Sequence, residues 1–252
     1  MQSCSLGCVG VIDSGVGGLT VLKQLQRDFP NCSYVYLADS AYCPYGVRTP
    51  QEIQQRVEIL IKLLQSYGAQ AVVIACNTAS VFADAMRSQF DFPIYDVIVP
   101  TCNRVASVTQ TKRVVLLATN ATVSSHAYER QLQKRGVEVV AVPCSSFVPF
   151  VEANEVNTAK CSNAVEKALA NISSSHVDTV ILGCTHFPLL RKKIAPYFNG
   201  ATIVECCTDF QPPVSCLVEQ SPKAVFFTTG LEKQANFASQ WFGEVHFLHI
   251  DL

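Results

Sequence analysis

Residues 71–80 read AVVIACNTAS, five apolar residues that end abruptly on a thiol, an amide and a hydroxyl. A short apolar run of this kind, rich in β-branched residues, is the pattern of a strand buried on both faces of a parallel sheet. The polar tail of Cys76, Asn77 and Thr78 then falls at the carboxyl end of that strand, where ligands bind in open α/β sheets. The pattern recurs at 180–186, VILGCTH, where the run ends on Cys184, Thr185 and His186. The segments VGVIDSG (9–15) and VVLLATN (114–120) match one another at nearly the same offset. Two matches at near-equal offsets point to two similar α/β halves.

Working outward, further strand-like runs are CVGVID (8–13), SYVYLAD (33–39), RVVLLAT (113–119), VEVVAVP (137–143), DTVILGC (178–184), ATIVEC (201–206) and KAVFFTT (223–229). Between them, Ile53, Val57, Leu60, Ile61 and Leu64 trace one apolar helical face, and Leu189, Leu190, Ile194 and Tyr197 another. Alternating strands and helices predict an α/β fold with mainly parallel sheets flanked by helices. The Pro-punctuated stretch FDFPIYDVIVPT (90–101) is a natural crossing between halves, and the strands after about residue 208 fall outside the repeat. The expected units are therefore 1–97 plus 208–252, and 98–207.

The 252-residue chain is 49% hydrophobic and 15% charged, ample material for a core. Nineteen basic against twenty acidic residues give a net charge of -1, with no run of like charges suited to nucleic acid or a membrane surface. The N-terminal stretch has no basic region followed by an apolar segment, and no window approaches the roughly 18 apolar residues of a membrane helix. A cytoplasmic location is expected. The twelve cysteines are scattered through apolar runs without a single C-x-x-C, so reduced thiols are expected rather than disulfides. Neither cysteines nor histidines fall at zinc-ligand spacing, and no metal or cofactor is expected.

A cysteine in an apolar run is most often inert filler. Here the repeat, the strand-end position and the polar followers favour chemistry instead. Two matched thiols facing one pocket suit the removal of a proton from one face of a carbon and its return to the other, one thiolate acting as base and one thiol as acid. The turn DSGVGGLTVLKQL (13–25) exposes backbone N–H groups before a helix and can hold an anion, a carboxylate as readily as a phosphate, since neither G-x-G-x-x-G nor a P-loop lysine is present. Asp13 can accept from an ammonium or a thiol, or merely cap the turn. Tyr45 and Gly46, in ADSAYCPYGVRT (38–49), can offer a phenol and an N–H to a small polar ligand. Thr119 and Thr122 occupy the corresponding loop of the second half. His186 is near enough in sequence to polarise Cys184, while Glu152 in FVPFVEAN reads equally as a distant acidic partner or a solvated helix residue.

The segments VGVIDSGVGGLTVL, PYG, VIACNTAS and ILGCTHFPLL together resemble those of the glutamate racemase family, within the cofactor-independent aspartate/glutamate racemases. The resemblance extends from about residue 9 to 197. It implies two pseudo-symmetric α/β domains with the active site between them. It also implies racemisation of glutamate by Cys76 and Cys184 as the acid/base pair, with Asp13 and His186 assisting. Asp13, Ser14, Tyr45, Gly46, Asn77, Thr78, Thr122 and Thr185 would bind substrate, and Asp39 and Glu152 would be auxiliary. The family supplies D-glutamate for peptidoglycan, commonly as a homodimer. This chain departs from the family pattern at Ala118 and Ala121, where glycines are usual, and at CCTDFQPPVS (206–215). Aspartate or a diaminodiacid is the alternative substrate. An inactive binding or regulatory homologue is the alternative class, disfavoured because both cysteines persist with Asp13 and His186.

Overall fold

The computed structural model describes residues 7–170, 172, 176–213, 216 and 223–252. Cys4, the start of the N-terminal stretch, and residues 214–215 of CCTDFQPPVS lie outside the described residues. In chain order the strands are β1 (Cys8–Asp13), β2 (Tyr34–Ala38), β3 (Ala69–Ile74), β4 (Ile94–Asp96), β5 (Arg113–Ala118), β6 (Glu138–Pro143), β7 (Thr179–Gly183), β8 (Thr202–Val204), β9 (Ala224–Thr228) and β10 (Phe247–His249). They form two parallel sheets, ordered β10-β9-β2-β1-β3-β4 and β6-β5-β7-β8.

The internal repeat is structural. In one sheet β1 lies between β2 and β3, with β4 beyond; in the other β5 lies between β6 and β7, with β8 beyond. Val11 is aligned with Tyr36 and Val73, as Leu116 is with Ala141 and Ile181. In each sheet the chain order reverses beside the first strand, which is the crevice where α/β sheets bind ligands. Strands β9 and β10 extend the first sheet beyond β2.

Because β1, β3 and β7 are buried almost throughout, successive side chains feed the layers on opposite faces. Val11, Tyr36 and Val73 pack with Leu22 and Leu25 of the helix Leu19–Asp28. On the other face Ile12, Leu37 and Ile74 meet Val57, Leu60, Ile61 and Leu64 of the helix Pro50–Ser66. The second sheet repeats the arrangement, with Leu117 and Leu182 against Val165 and Leu169, and Leu116 and Ile181 against Val105 and Leu132. Each such side chain contributes about 1.5–3 kcal/mol on burial. The helix Pro50–Ser66 starts sharply: Thr49 and Glu52 satisfy each other's backbone N–H groups, and Pro50 sits where no N–H bond is lost.

Three local readings change. The segment Phe187–Tyr197 is not one helix but a 3-10 turn, a short α-helix and another 3-10 turn, because Pro188 and Pro196 interrupt the helical ladder. The stretch read as a crossing contains β4, and β10 was not expected; each has only three residues, too few for a period to show. Finally, β3 and β7 stop before their cysteines, so that Cys76 and Cys184 both lie just past a strand end. Among the described residues, no helix is long and apolar enough to cross a membrane.

Candidate active site

The carboxyl ends of β1, β3, β5 and β7 converge on one cavity. Ser14, Cys76, Asn77 and Thr78 line it from the first sheet, and Thr119, Cys184, Thr185 and His186 from the second. Pro44, Tyr45, Gly46 and Val148 close it over. Its volume is about 10 Å³, roughly the room one water needs. An adjoining open cavity of about 590 Å³ shares Pro44 and Val148 and reaches Glu152.

The two thiols have different surroundings. Cys76 caps the four-residue helix Asn77–Ser80, and its thiol donates to Ser14 Oγ at 3.7 Å. Burial, reinforced by the nearby charge of Asp13, pushes the Cys76 pKa up to about 12. The Cys184 sulfur instead lies 3.6 Å from His186 Nδ1, and His186 Nε2 lies 2.5 Å from Glu152 Oε1. Burial opposes the imidazolium, but the bonds to Cys184 and Glu152 outweigh it and hold His186 well above its ordinary pKa. A doubly protonated ring there has a partner for each N–H.

The glycine turn does hold carboxylates, and they belong to the protein. Val16 N–H donates to Glu152 Oε1 at 3.0 Å, and Gly15 N–H donates to Asp13 Oδ2 at 3.1 Å. Close approach explains the glycines: a Cβ on Gly15 would stand 2.1 Å from Glu152 Oε1, and one on Gly17 would stand 2.7 Å from His186 Nδ1. Asp13 also accepts from Thr185 Oγ1 at 3.0 Å, joining the first strand of one sheet to the loop after β7 of the other. Burial raises its pKa to about 6, against the pull of His186 and the Gly15 and Gly18 N–H groups.

The profile of the Asp/Glu/Hydantoin racemase family matches residues 10–208. The chain belongs to this family. A curated relative, the glutamate racemase of Staphylococcus carnosus, is 37% identical over 248 residues, covering 92% of this chain and 93% of the relative. The solved glutamate racemase of Bacillus anthracis superposes with a TM-score of 0.87 at 29% identity, covering 100% of this chain and 99% of the other. That of Francisella tularensis in complex with D-glutamate superposes with a TM-score of 0.82 at 27% identity, covering 98% and 97%. The chain is thus an isomerase of the amino-acid racemase class.

Within the racemase the expected site residues divide into two groups. Cys76, Cys184, His186, Ser14, Tyr45, Gly46, Asn77, Thr78 and Thr185 line the closed cavity, while Asp13 sits behind it, joined to Thr185. Thr122 does not line it. Its hydroxyl is buried in a triangle with Thr78 (3.2 Å) and Thr119 (2.9 Å), and those two are the members that reach the cavity. The phenol of Tyr45 is not free for a ligand, since it donates to Asp39 Oδ2 at 2.6 Å. Asp39 itself is clasped by Arg56 through two bonds of 2.7 Å and by Thr229 at 2.8 Å, so it anchors the loop above the site. Glu152 is a direct partner of His186. Sequence gave no pattern linking them, since the helix Val148–Glu152 and the turn after β7 meet only in the fold. The Ala121 methyl packs against the apolar layer of the first sheet that contains Tyr45 and Cys76.

Proposed function

We propose that this racemase interconverts L- and D-glutamate without a cofactor, with Cys76 and Cys184 acting on opposite faces of the substrate Cα. One observation carries the reading: two buried thiols stand at equivalent strand ends of two matching sheets and line a single cavity. In each turnover one thiolate takes the Cα proton and the opposite thiol delivers its own, leaving the substrate inverted and the proton count unchanged. The two cysteines exchange roles for the reverse direction. His186, polarised by Glu152, supplies or accepts the Cys184 proton, and the hydroxyl and amide groups of Ser14, Asn77, Thr78, Thr119 and Thr185 surround the bound amino acid.

Glutamate is favoured as substrate by the relatives, among them one solved with D-glutamate. In this reading residues 1–97 with 208–252 and residues 98–207 are the two units that part to admit it. The protein works as a homodimer in the cytoplasm, supplying D-glutamate to peptidoglycan; its free cysteines suit a reducing compartment. The test is D-glutamate formation from L-glutamate, followed by circular dichroism with no cofactor added, beside aspartate and a diaminodiacid. Glutamate is expected to be racemised fastest; inactivity on glutamate with turnover of another amino acid would overturn the assignment of substrate.

A further inference from the structure

The segment CCTDFQPPVS opens with a buried thiol that the proposed reaction leaves unused. Cys206 follows β8 and continues its line past the last ladder pair, Ile181 with Val204. Its S–H donates to the Leu182 carbonyl at 3.6 Å, and its sulfur accepts from Asn77 Nδ2 at 2.9 Å. Asn77 Oδ1 in turn accepts from the Tyr128 hydroxyl at 2.6 Å. All four residues are buried.

Asn77 is the residue after Cys76, and Leu182 lies two residues before Cys184. A continuous line of hydrogen bonds therefore joins the neighbour of one thiol to the strand that carries the other, and Cys206 is its centre. We propose that Cys206 is a positioning residue: by holding Asn77 and Leu182 together it sets the separation of the two sulfurs across the substrate Cα. The inference rests on the two-thiol reading above. It also gives the Asn77 side chain a second duty as a strut, its carbonyl committed to Tyr128 and one amide N–H to Cys206. A two-base transfer is sensitive to such spacing, because each sulfur must reach Cα from its own side, and a displacement of about 1 Å costs on the order of a hundred-fold in rate.

A serine at 206 can make both bonds, whereas valine fills similar space and makes neither, leaving a buried N–H and a buried carbonyl without their partner. The experiment compares Cys206→Val, Cys206→Ser and Tyr128→Phe, each corrected for folded fraction. The substrate is whichever amino acid the unaltered enzyme racemises fastest, so a wrong assignment of glutamate leaves the comparison intact. Cys206→Val is expected to lose about ten- to a hundred-fold in kcat with KM little changed, and Cys206→Ser to stay within about three-fold of the unaltered enzyme. Tyr128→Phe, which frees the other end of Asn77, is expected to lower kcat several-fold and supplies the readout should the valine variant fail to fold. An undiminished kcat in Cys206→Val, equal losses in the valine and serine variants, or an undiminished kcat in Tyr128→Phe would overturn the proposal.

Discussion

The two halves of the site share a backbone plan and differ in their proton chemistry. Cys76 and Cys184 each follow the strand next to the first strand of their sheet, so the fold places them as counterparts. Around Cys76 there is the Ser14 hydroxyl and the buried Asp13 carboxyl nearby, and its thiol is pushed up to about 12. Around Cys184 there is a histidine backed by a carboxylate. In the proposed mechanism pseudo-symmetry supplies two faces, while the local surroundings give Cys184 a histidine relay and leave Cys76 beside a hydroxyl. Because enantiomers have equal free energies, kcat/KM must match in the two directions. The asymmetry has to appear in what each half loses when altered.

Removing either thiol gives the largest effect. Cys76→Ser and Cys184→Ser should each lower racemisation by about 10²- to 10⁴-fold in a polarimetric assay, the range of one general acid or base. Next comes the relay: His186→Asn should cost about 10²-fold in kcat, and Ser14→Ala, its counterpart beside Cys76, only several-fold. Equal losses would erase the proposed distinction between the halves. Glu152→Gln should cost about ten-fold, and Gly15→Ala, whose methyl would collide with Glu152, should add little to it in the double variant.

The smaller effects concern pH. The stabilisation from the raised His186 pKa is present below the ordinary value of 6.5 and lost as pH rises through the raised one. The stability deficit of Glu152→Gln, followed by thermal melting, should accordingly be largest just below pH 6.5 and shrink as pH rises further. Asp13 behaves oppositely in kind: its carboxyl is raised from 3.8 to about 6, so ionising it costs the folded state. Between about pH 4.5 and 7, Asp13→Asn should gain roughly 2 kcal/mol of stability relative to the unaltered protein.

The strands and both cysteines were legible because their signals are local: β-branched runs mark β1, β3, β5 and β7, and the duplicated polar tails mark Cys76 and Cys184. The face of Ile53, Val57, Leu60, Ile61 and Leu64 was legible for the same reason, a period carried over several turns. What escaped depends on contacts between distant segments. Glu152 meets His186 across 34 positions, and Asn77 meets Cys206 across 129. No period or spacing encodes such a pair. Thr119 and Thr122 are hydroxyls three positions apart at the start of one short helix, both bonded to Thr78, and only the fold shows that Thr119 and not Thr122 lines the cavity. The glycine turn was read as able to hold an anion; in the fold its Val16 N–H holds Glu152, a carboxylate from the other half of the chain.

The central claim is that two thiols act from opposite faces of one carbon, and Cα deuterium exchange tests it most directly. Each single serine variant is incubated in deuterated water with each enantiomer of glutamate, and label at Cα is followed by proton NMR. The two-face account predicts that each variant exchanges one enantiomer and that the two variants prefer opposite ones. Exchange of the same enantiomer by both variants, or undiminished racemisation by either, would contradict it.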